Sequence, residues 1–262
     1  MFRGLSATAR SMGLGAVFRE AARRALGVSY TWRGVRVDST ALFRLLRRLA
    51  SAGHVVWGEG GYVYVRPRWT RYVLRVPRGD AGLLTVLLED LEGMYRASAR
   101  RVLDVGAYIG ETALLFAERG AERVYAYEPV PKFFSVLRDV VEYNGLGGVV
   151  EMYNLGVGGG GRIRVGLEGP GTGLREGDLE IATMPWGEVL RRHGVDLAKV
   201  DCEGCEWWLM AQPCEVLRSV PQWLVEIHGP AAPLIEKFSG CGFSGVKVAD
   251  LAYLISLYRL SL

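Results

Sequence analysis

The chain has 262 residues, enough for one large domain or for a core domain with an extension. Half of it is hydrophobic and 23% is charged, a balance that excludes a disordered or fibrous chain. Its net charge of +4 hides an asymmetry: residues 1–100 carry 17 Arg and no Lys against 7 acids, whereas residues 101–262 carry 15 basic against 21 acidic groups.

A positive front half suits an anionic partner such as a phosphate, a nucleic acid or a membrane surface. An arginine preference of the whole chain leaves a similar trace, since 28 of its 32 basic residues are Arg. No apolar run reaches the roughly eighteen residues needed to cross a bilayer, and the opening segment lacks a secretory apolar core. A cytoplasmic location is the expectation. Cys202, Cys205, Cys214 and Cys241 do not make a disulfide scaffold in a chain of this size.

In chain order, residues 1–26 have helical spacing and are basic. Ser39 or Thr40 then caps a helix through ALFRLLRRLASAG, stopped at Gly53. HVVW, the turn GEGG and YVYVRP alternate as a hairpin, followed by RYVLRVP. LLTVLLEDLEGMYR again has helical spacing. From residue 101 the texture changes to strand, loop and helix in repetition: RVLDV, RVYAYE, VVEMYNLGV, DLAKVD and WLVEIH are strands, and GVKVAD with LAYLISLYRL close the series. Such alternation predicts a doubly wound α/β fold, with a parallel sheet covered on both faces. The predicted division is a basic helical and β-hairpin region over 1–95 and an α/β domain over 96–262.

Ligands of doubly wound sheets bind beyond the carboxyl ends of the strands, beside the topological switch point. The loop after the first strand reads Asp104-Val105-Gly106-Ala107-Tyr108-Ile109-Gly110-Glu111, a D-x-G-x-x-x-G pattern. Its glycines let backbone approach a ligand, and its carboxylates repel a pyrophosphate but suit an amine and a sulfonium. Glu128, followed by Pro129, ends the second strand, where an acid can accept hydrogen bonds from both ribose hydroxyls of an adenosine. Loop and acid together point to S-adenosylmethionine, held by Asp104, Gly106, Ala107, Tyr108, Gly110, Glu111, Thr112, Glu128 and Pro129. A literal G-x-G-x-x-G at Gly156, Gly158 and Gly161 has no helix behind it and is expected to be a flexible turn.

The fourth strand runs into Lys199-Val200-Asp201-Cys202-Glu203-Gly204-Cys205-Glu206, and the fifth ends in Glu226-Ile227-His228-Gly229. Acids so concentrated at the carboxyl edge belong to an acceptor site, although Glu203 and Glu206 also favour the dipole of a following helix. Methyl transfer to a hydroxyl requires removal of its proton. His228 is the natural base, with Asp201 or Glu203 as alternatives. Asp201, Glu203, Glu226 and His228 could instead gather a hard cation, but no metal is predicted. His54 and His193 lack such surroundings. Without a second CxxC, Cys202 and Cys205 are expected to be neither a zinc site nor a redox pair, and Cys214 to be packing.

These segments, VLDVGAYIGETALLFAERGAERVYAYEPVPKFFSVL with KVDCEGCE and VEIHG, resemble the FkbM family of S-adenosylmethionine-dependent methyltransferases. The likeness covers roughly residues 55–262 and is strongest over 101–145 and 198–229. The family's Asp-x-Glu-Gly-x-Glu stands here as Asp201, Glu203, Gly204 and Glu206, and its Glu-x-His as Glu226 and His228. The resemblance implies a Rossmann-like class I methyltransferase sheet of seven strands with an antiparallel last strand. It also implies O-methylation of a hydroxyl on a sugar or other small molecule, with Asn154 near the adenine. The chain departs from the family in front. Its first ~55 residues could form a winged helix with Arg44, Arg47 and Arg48 on phosphates, so an RNA methyltransferase acting on a ribose hydroxyl is the rival reading.

Overall fold

A computed structural model describes residues 9–166, 177–252 and 255–262. The start of the predicted N-terminal helix and much of the glycine-rich excursion fall outside them. The chain forms two compact units, Met1–Asp90 and Leu91–Leu262.

In the first unit, helix α1 (Leu14–Leu26) ends at Gly27 in the left-handed conformation, and its buried Glu20 pairs with Arg23 and Arg24. A hairpin of β1 (Tyr30–Trp32) and β2 (Val35–Val37) follows, which the sequence reading had not anticipated. Its turn places Arg33 (φ 46°) and Gly34 (φ 82°) in the left-handed region, as a tight two-residue hairpin requires. Helix α2 (Thr40–Ser51) starts as predicted, with Ser39 Oγ accepting from the Leu42 amide, and buries Leu45, Leu46 and Leu49 while exposing Arg44 and Arg48. Strands β3 (Val55–Glu59), β4 (Tyr62–Arg66) and β5 (Leu74–Pro77) make an antiparallel sheet, the predicted hairpin plus one strand. Helix, hairpin, helix and sheet do not make a winged helix: among the described residues the β1–β2 hairpin stands where a helix-turn-helix needs its second helix. The helix expected over 83–96 is broken: residues 78–88 form 3-10 turns, Glu89 is extended, and only Leu91–Met94 is α-helical. Histidine 54 is structural, bonded to the Leu87 carbonyl and the Arg68 amide.

The second unit opens with the short helix α3 (Leu91–Met94) and alternates thereafter. Strand β6 (Arg101–Val105) leads to α4 (Glu111–Glu118), β7 (Arg123–Tyr127) to α5 (Pro131–Tyr143), and β8 (Val150–Tyr153) follows. A small separate sheet interrupts, built from β9 (Gly156–Gly158), β10 (Gly161–Val165) and β11 (Leu179–Pro185). The G-x-G-x-x-G is therefore not a flexible turn. It is a strand and a corner against which the Trp208 ring lies, so close that a side chain at Gly159 would strike it. The main series resumes with α6 (Trp186–His193), β12 (Leu197–Val200), a 3-10 turn over Cys205–Ala211, α7 (Cys214–Arg218), β13 (Gln222–His228), α8 (Ala232–Gly240), β14 (Ser244–Ala252) and β15 (Ile255–Ser261).

The large sheet has the order β14-β15-β13-β12-β6-β7-β8, with β6, β7, β8, β12 and β13 parallel and β15 antiparallel to β13. This is the predicted doubly wound fold. Its core gathers Leu103, Trp186, Ala198, Val200, Trp223, Val225 and Phe238, all buried. The order reverses between β6 and β12, so the loops after those two strands flank a crevice at the carboxyl edge.

Two disulfides correct the expectation for cysteine. Cys202 pairs with Cys205, and Cys214 with Cys241, whose Cα atoms lie 5.1 Å apart across 27 residues of sequence. A pairing between α7 and the end of α8 depends on their packing, which no sequence spacing reveals.

Candidate active site

Register places Lys199 of β12 directly beside Asp104 of β6. Both side chains are fully buried, with Nζ 3.2 Å from the carboxylate, 3.6 Å from Asp201 Oδ2 and 2.7 Å from the Gly106 carbonyl it donates to. Burial alone would lower the lysine pKa, but Asp104 and Asp201 raise it instead, so the ammonium is permanent. Thr112 Oγ1 donates to the other Asp104 oxygen at 2.7 Å. Asp104 and Thr112 thus hold the loop from inside. Lys199 was not assigned a role from sequence, although a lysine inside the apolar run LAKV was the available signal.

The loop glycines answer to protein contacts. At Gly106 (φ +76°) a Cβ would lie 1.7 Å from the Asp201 carbonyl oxygen, and at Gly110 (φ +96°) it would press Leu137 at 2.9 Å. Close approach is required as predicted, but what approaches here is backbone and core, and Ala107 is likewise buried. Gly106 brings the loops after β6 and β12 into contact and so builds the crevice. Tyr108 (φ 47°) remains half-exposed with its ring edge-on to Phe133.

Glu128 is 4% exposed and already engaged: Oε2 accepts from the Tyr108 amide (3.0 Å) and Oε1 from the Val130 amide (2.8 Å). Each oxygen keeps one lone pair, so ribose hydroxyls can share it. Asn154 Nδ2 donates to the Glu128 and Pro129 carbonyls, fixing the turn after β7. Glu111 is 3% exposed, and its Oε2 has no partner among the described residues. Burial pushes Glu111 and Glu128 up to about 8, against the opposing pull of Lys199 on the first and of backbone amides on the second. Buried acids short of positive charge fit a ligand that brings cationic centres and hydroxyl donors, as S-adenosylmethionine does.

Across the crevice, His228 sits among three carboxylates. Its Nδ1 is 3.2 Å from Glu206 Oε1, and its Nε2 is 3.3 Å from Glu203 Oε2 and 3.4 Å from Glu226 Oε1. Burial would lower the imidazole pKa, but hydrogen bonds to Glu206 and Glu226 and the charge of Glu203 push it up to about 11. At neutral pH His228 is an imidazolium, which removes the premise for its being the base. Glu206, wholly buried, also accepts from the His228 and Gly204 amides and ties the end of β13 to the loop after β12. Glu203 adopts φ 56°, an unusual conformation for a residue with a side chain, inside the loop that the Cys202–Cys205 disulfide closes.

Asp201 is part-exposed, its side chain 30% accessible beside 34% for Glu203, but it does not pair with His228; its Oδ2 accepts from Tyr95 Oη at 3.1 Å. Tyr95 is a second residue the sequence reading did not assign. Asp201, Glu226 and His228 have ligand atoms within 4.8 Å of one another, the cation geometry considered above. Lys199 and the imidazolium already supply that cluster with positive charge. His193 instead stacks on Tyr125 and meets Tyr127 Oη at 2.7 Å, a structural role.

The sheet order, the crevice at its switch point and the acids around it define a class I methyltransferase that uses S-adenosylmethionine. Residues 104–244 match the methyltransferase FkbM domain, and the chain belongs to that family. Among curated proteins no sequence matches. Solved structures with a related fold include a precorrin-6y C5,15-methyltransferase from Geobacter metallireducens (11% identity, TM-score 0.42, 70% of this chain and 89% of that one). Another is a ribosomal protein L11 methylase from Lactobacillus delbrueckii (14%, 0.40, 70% and 77%). A third, from Streptococcus pneumoniae, has S-adenosyl-L-methionine bound (14%, 0.43, 66% and 70%). At such identities the likeness concerns the fold alone. No helix among the described residues is long and apolar enough to cross a membrane.

Proposed function

We propose that the protein methylates a hydroxyl oxygen, with the acceptor entering between the loops after β6 and β12 and its proton passing to Asp201. The observation that carries this reading is the pairing of an open carboxylate, Asp201, with a neighbouring histidine that is already protonated. When bound, S-adenosylmethionine supplies an electrophilic methyl on a sulfonium. Glu111, Glu128, Asn154 and the 106–110 loop hold it, while Asp104 and Thr112 brace that loop from beneath. Lys199 and Tyr95 both engage Asp201 Oδ2, which leaves Oδ1 to take the acceptor proton. His228 holds Glu203, Glu206 and Glu226 together as their common cation and shapes the acceptor wall.

The acceptor we assign is a sugar or other hydroxyl-bearing small molecule. A ribose hydroxyl of RNA is the second reading, favoured by the arginine excess of the first unit. The test is transfer of a labelled methyl group from the donor to a panel of hydroxyl compounds and to RNA. Asp201→Asn is expected to lower turnover by about 10²-fold or more while donor affinity holds. The pH profile separates the two bases. Proton acceptance by His228 demands a rate that climbs tenfold per pH unit through pH 9, and that result overturns the assignment to Asp201.

A further inference from the structure

The three-stranded sheet of the first unit has two unlike faces. Alternation sends Val56, Val63, Val65, Leu74 and Val76 inward, all fully buried. The other alternates, Trp57, Tyr62, Tyr64, Arg66 and Arg75, share the opposite face. Register sets Trp57 against Tyr64, and Tyr64 against Arg75. The Trp57 and Tyr64 rings stack with centroids 5.3 Å apart and planes 9° from parallel. The Arg75 guanidinium lies 3.7 Å over the Tyr62 ring, and its Nε donates to Tyr64 Oη at 3.3 Å. Trp57 and Tyr62 are half-exposed and Arg66 is exposed.

Two parallel stacked rings, with Tyr62 tilted 53° to Tyr64 and held on one face by an arginine, make an aromatic surface larger than a solvated sheet face requires. Rings so presented accept other planar rings, and stacking of nucleobases on them is tolerant of sequence. Sugars also lie against aromatic faces, but they are held by acids and amides, and the face carries a single acid, Glu59, paired with Tyr62. The stretch of chain that carries it is of the other sign: residues 1–100 hold 17 Arg against 7 acids, while the remainder of the same chain is net acidic. A duplex hides its base faces, so the matching ligand is single-stranded.

We infer that this sheet face binds a single-stranded polynucleotide, with bases stacked on Trp57 and Tyr62 and phosphates met by Arg66 and the exposed Arg71 of the β4–β5 connection. The inference is independent of the proton acceptor assigned above and bears on which hydroxyls the protein meets.

The experiment is fluorescence anisotropy of the full chain with labelled strands of about 12 nucleotides, oligouridylate and oligothymidylate, together with an abasic strand of equal length and charge. The methyl donor is left out, so the outcome does not depend on the proposed reaction. Either base-bearing strand is expected to bind about tenfold or more tightly than the abasic one. Affinity should fall steeply between about 0.05 and 0.2 M salt. Tyr62→Leu and Arg66→Ala should each weaken it, and comparison of RNA with DNA identifies which polymer is preferred. Absence of binding overturns the inference, as does equal affinity for the abasic strand. So does a loss confined to Arg44→Ala/Arg48→Ala on α2, which would move the contact to the helix. The abasic comparison needs no variant, so an unfolded mutant cannot obscure the result.

Discussion

The two walls of the crevice both bury carboxylates but differ in the cation set beside them. On the wall formed by the ends of β6 and β7, Glu111 and Glu128 are buried with no ion pair among the described residues, and burial raises both to about 8 against the more distant pull of Lys199. On the wall formed by the ends of β12 and β13, Glu203, Glu206 and Glu226 surround an imidazole and force a proton onto it. Burial raises Glu203 and Glu226 as well, but there the charge of His228 opposes it. What differs is the supply of positive charge. The acceptor wall contains its own cation, whereas the cofactor wall has a place for one that arrives with the ligand. Lys199 stands where the walls meet, shared by Asp104 and Asp201.

That junction is where the contrast breaks most readily. Replacing Lys199 with Met leaves Asp104 as a buried, uncompensated anion, with an expected loss of about 3–5 kcal/mol in denaturant unfolding. Adding Asp104→Asn should recover a large part of it, since the second change removes the charge that was orphaned. If the single variant is as stable as the wild type, the ammonium is not what joins the two walls.

Much of this arrangement was legible in the sequence, for a physical reason. Parallel strands deliver their carboxyl ends to one edge, so Gly106, Glu128, Asp201, Glu226 and His228 could be brought together from the strand pattern alone. Protonation states were not legible, because they depend on how many acids face one ring and at what distance. A histidine ending a strand reads as a base until Glu203, Glu206 and Glu226 are all found within 3.4 Å of it. Lys199 was passed over because its partner Asp104 is 95 positions away and becomes a neighbour only through strand register. The β1–β2 hairpin was missed because Arg33 occupies a left-handed turn position that more often announces itself with Asn or Gly. The disulfides depend on local turns and helix packing. With no free cysteine, the thiols lend the cytoplasmic expectation no support.

A second prediction sharpens the contrast on the acceptor wall. His228 has a folded-state pKa of about 11 against 6.5 in the unfolded chain, so its contribution to stability is complete below pH 6.5 and lost as pH rises toward 11. The slope cannot exceed about 1.4 kcal/mol per pH unit from this group. Glu111 and Glu128 add a loss of the same sign between pH 4.5 and about 8. The informative quantity is therefore the difference between wild type and His228→Gln. That difference should shrink steadily from pH 7 to 10 in thermal unfolding. A constant difference would show that the histidine is not protonated in the folded protein.

The smallest effect tests the cofactor wall directly. At pH 7 Glu111 and Glu128 hold protons that the nearby charge of a bound cation would displace. Donor binding should therefore release protons, visible as a binding enthalpy that changes with the ionisation heat of the buffer. The release should fade by pH 9.5, where both acids are already ionised. S-adenosylhomocysteine keeps the amine but lacks the sulfonium charge, so it should release fewer protons than the donor at the same pH. Glu111→Gln should remove a part of the release, and Glu128→Gln the remainder with some loss of affinity. Should enthalpies agree across buffers at pH 7, the acids are ionised before the ligand arrives, and the cofactor wall is not short of positive charge. The two walls would then differ in sequence alone, and the reading of the crevice as one self-supplied and one ligand-supplied half would fail with them.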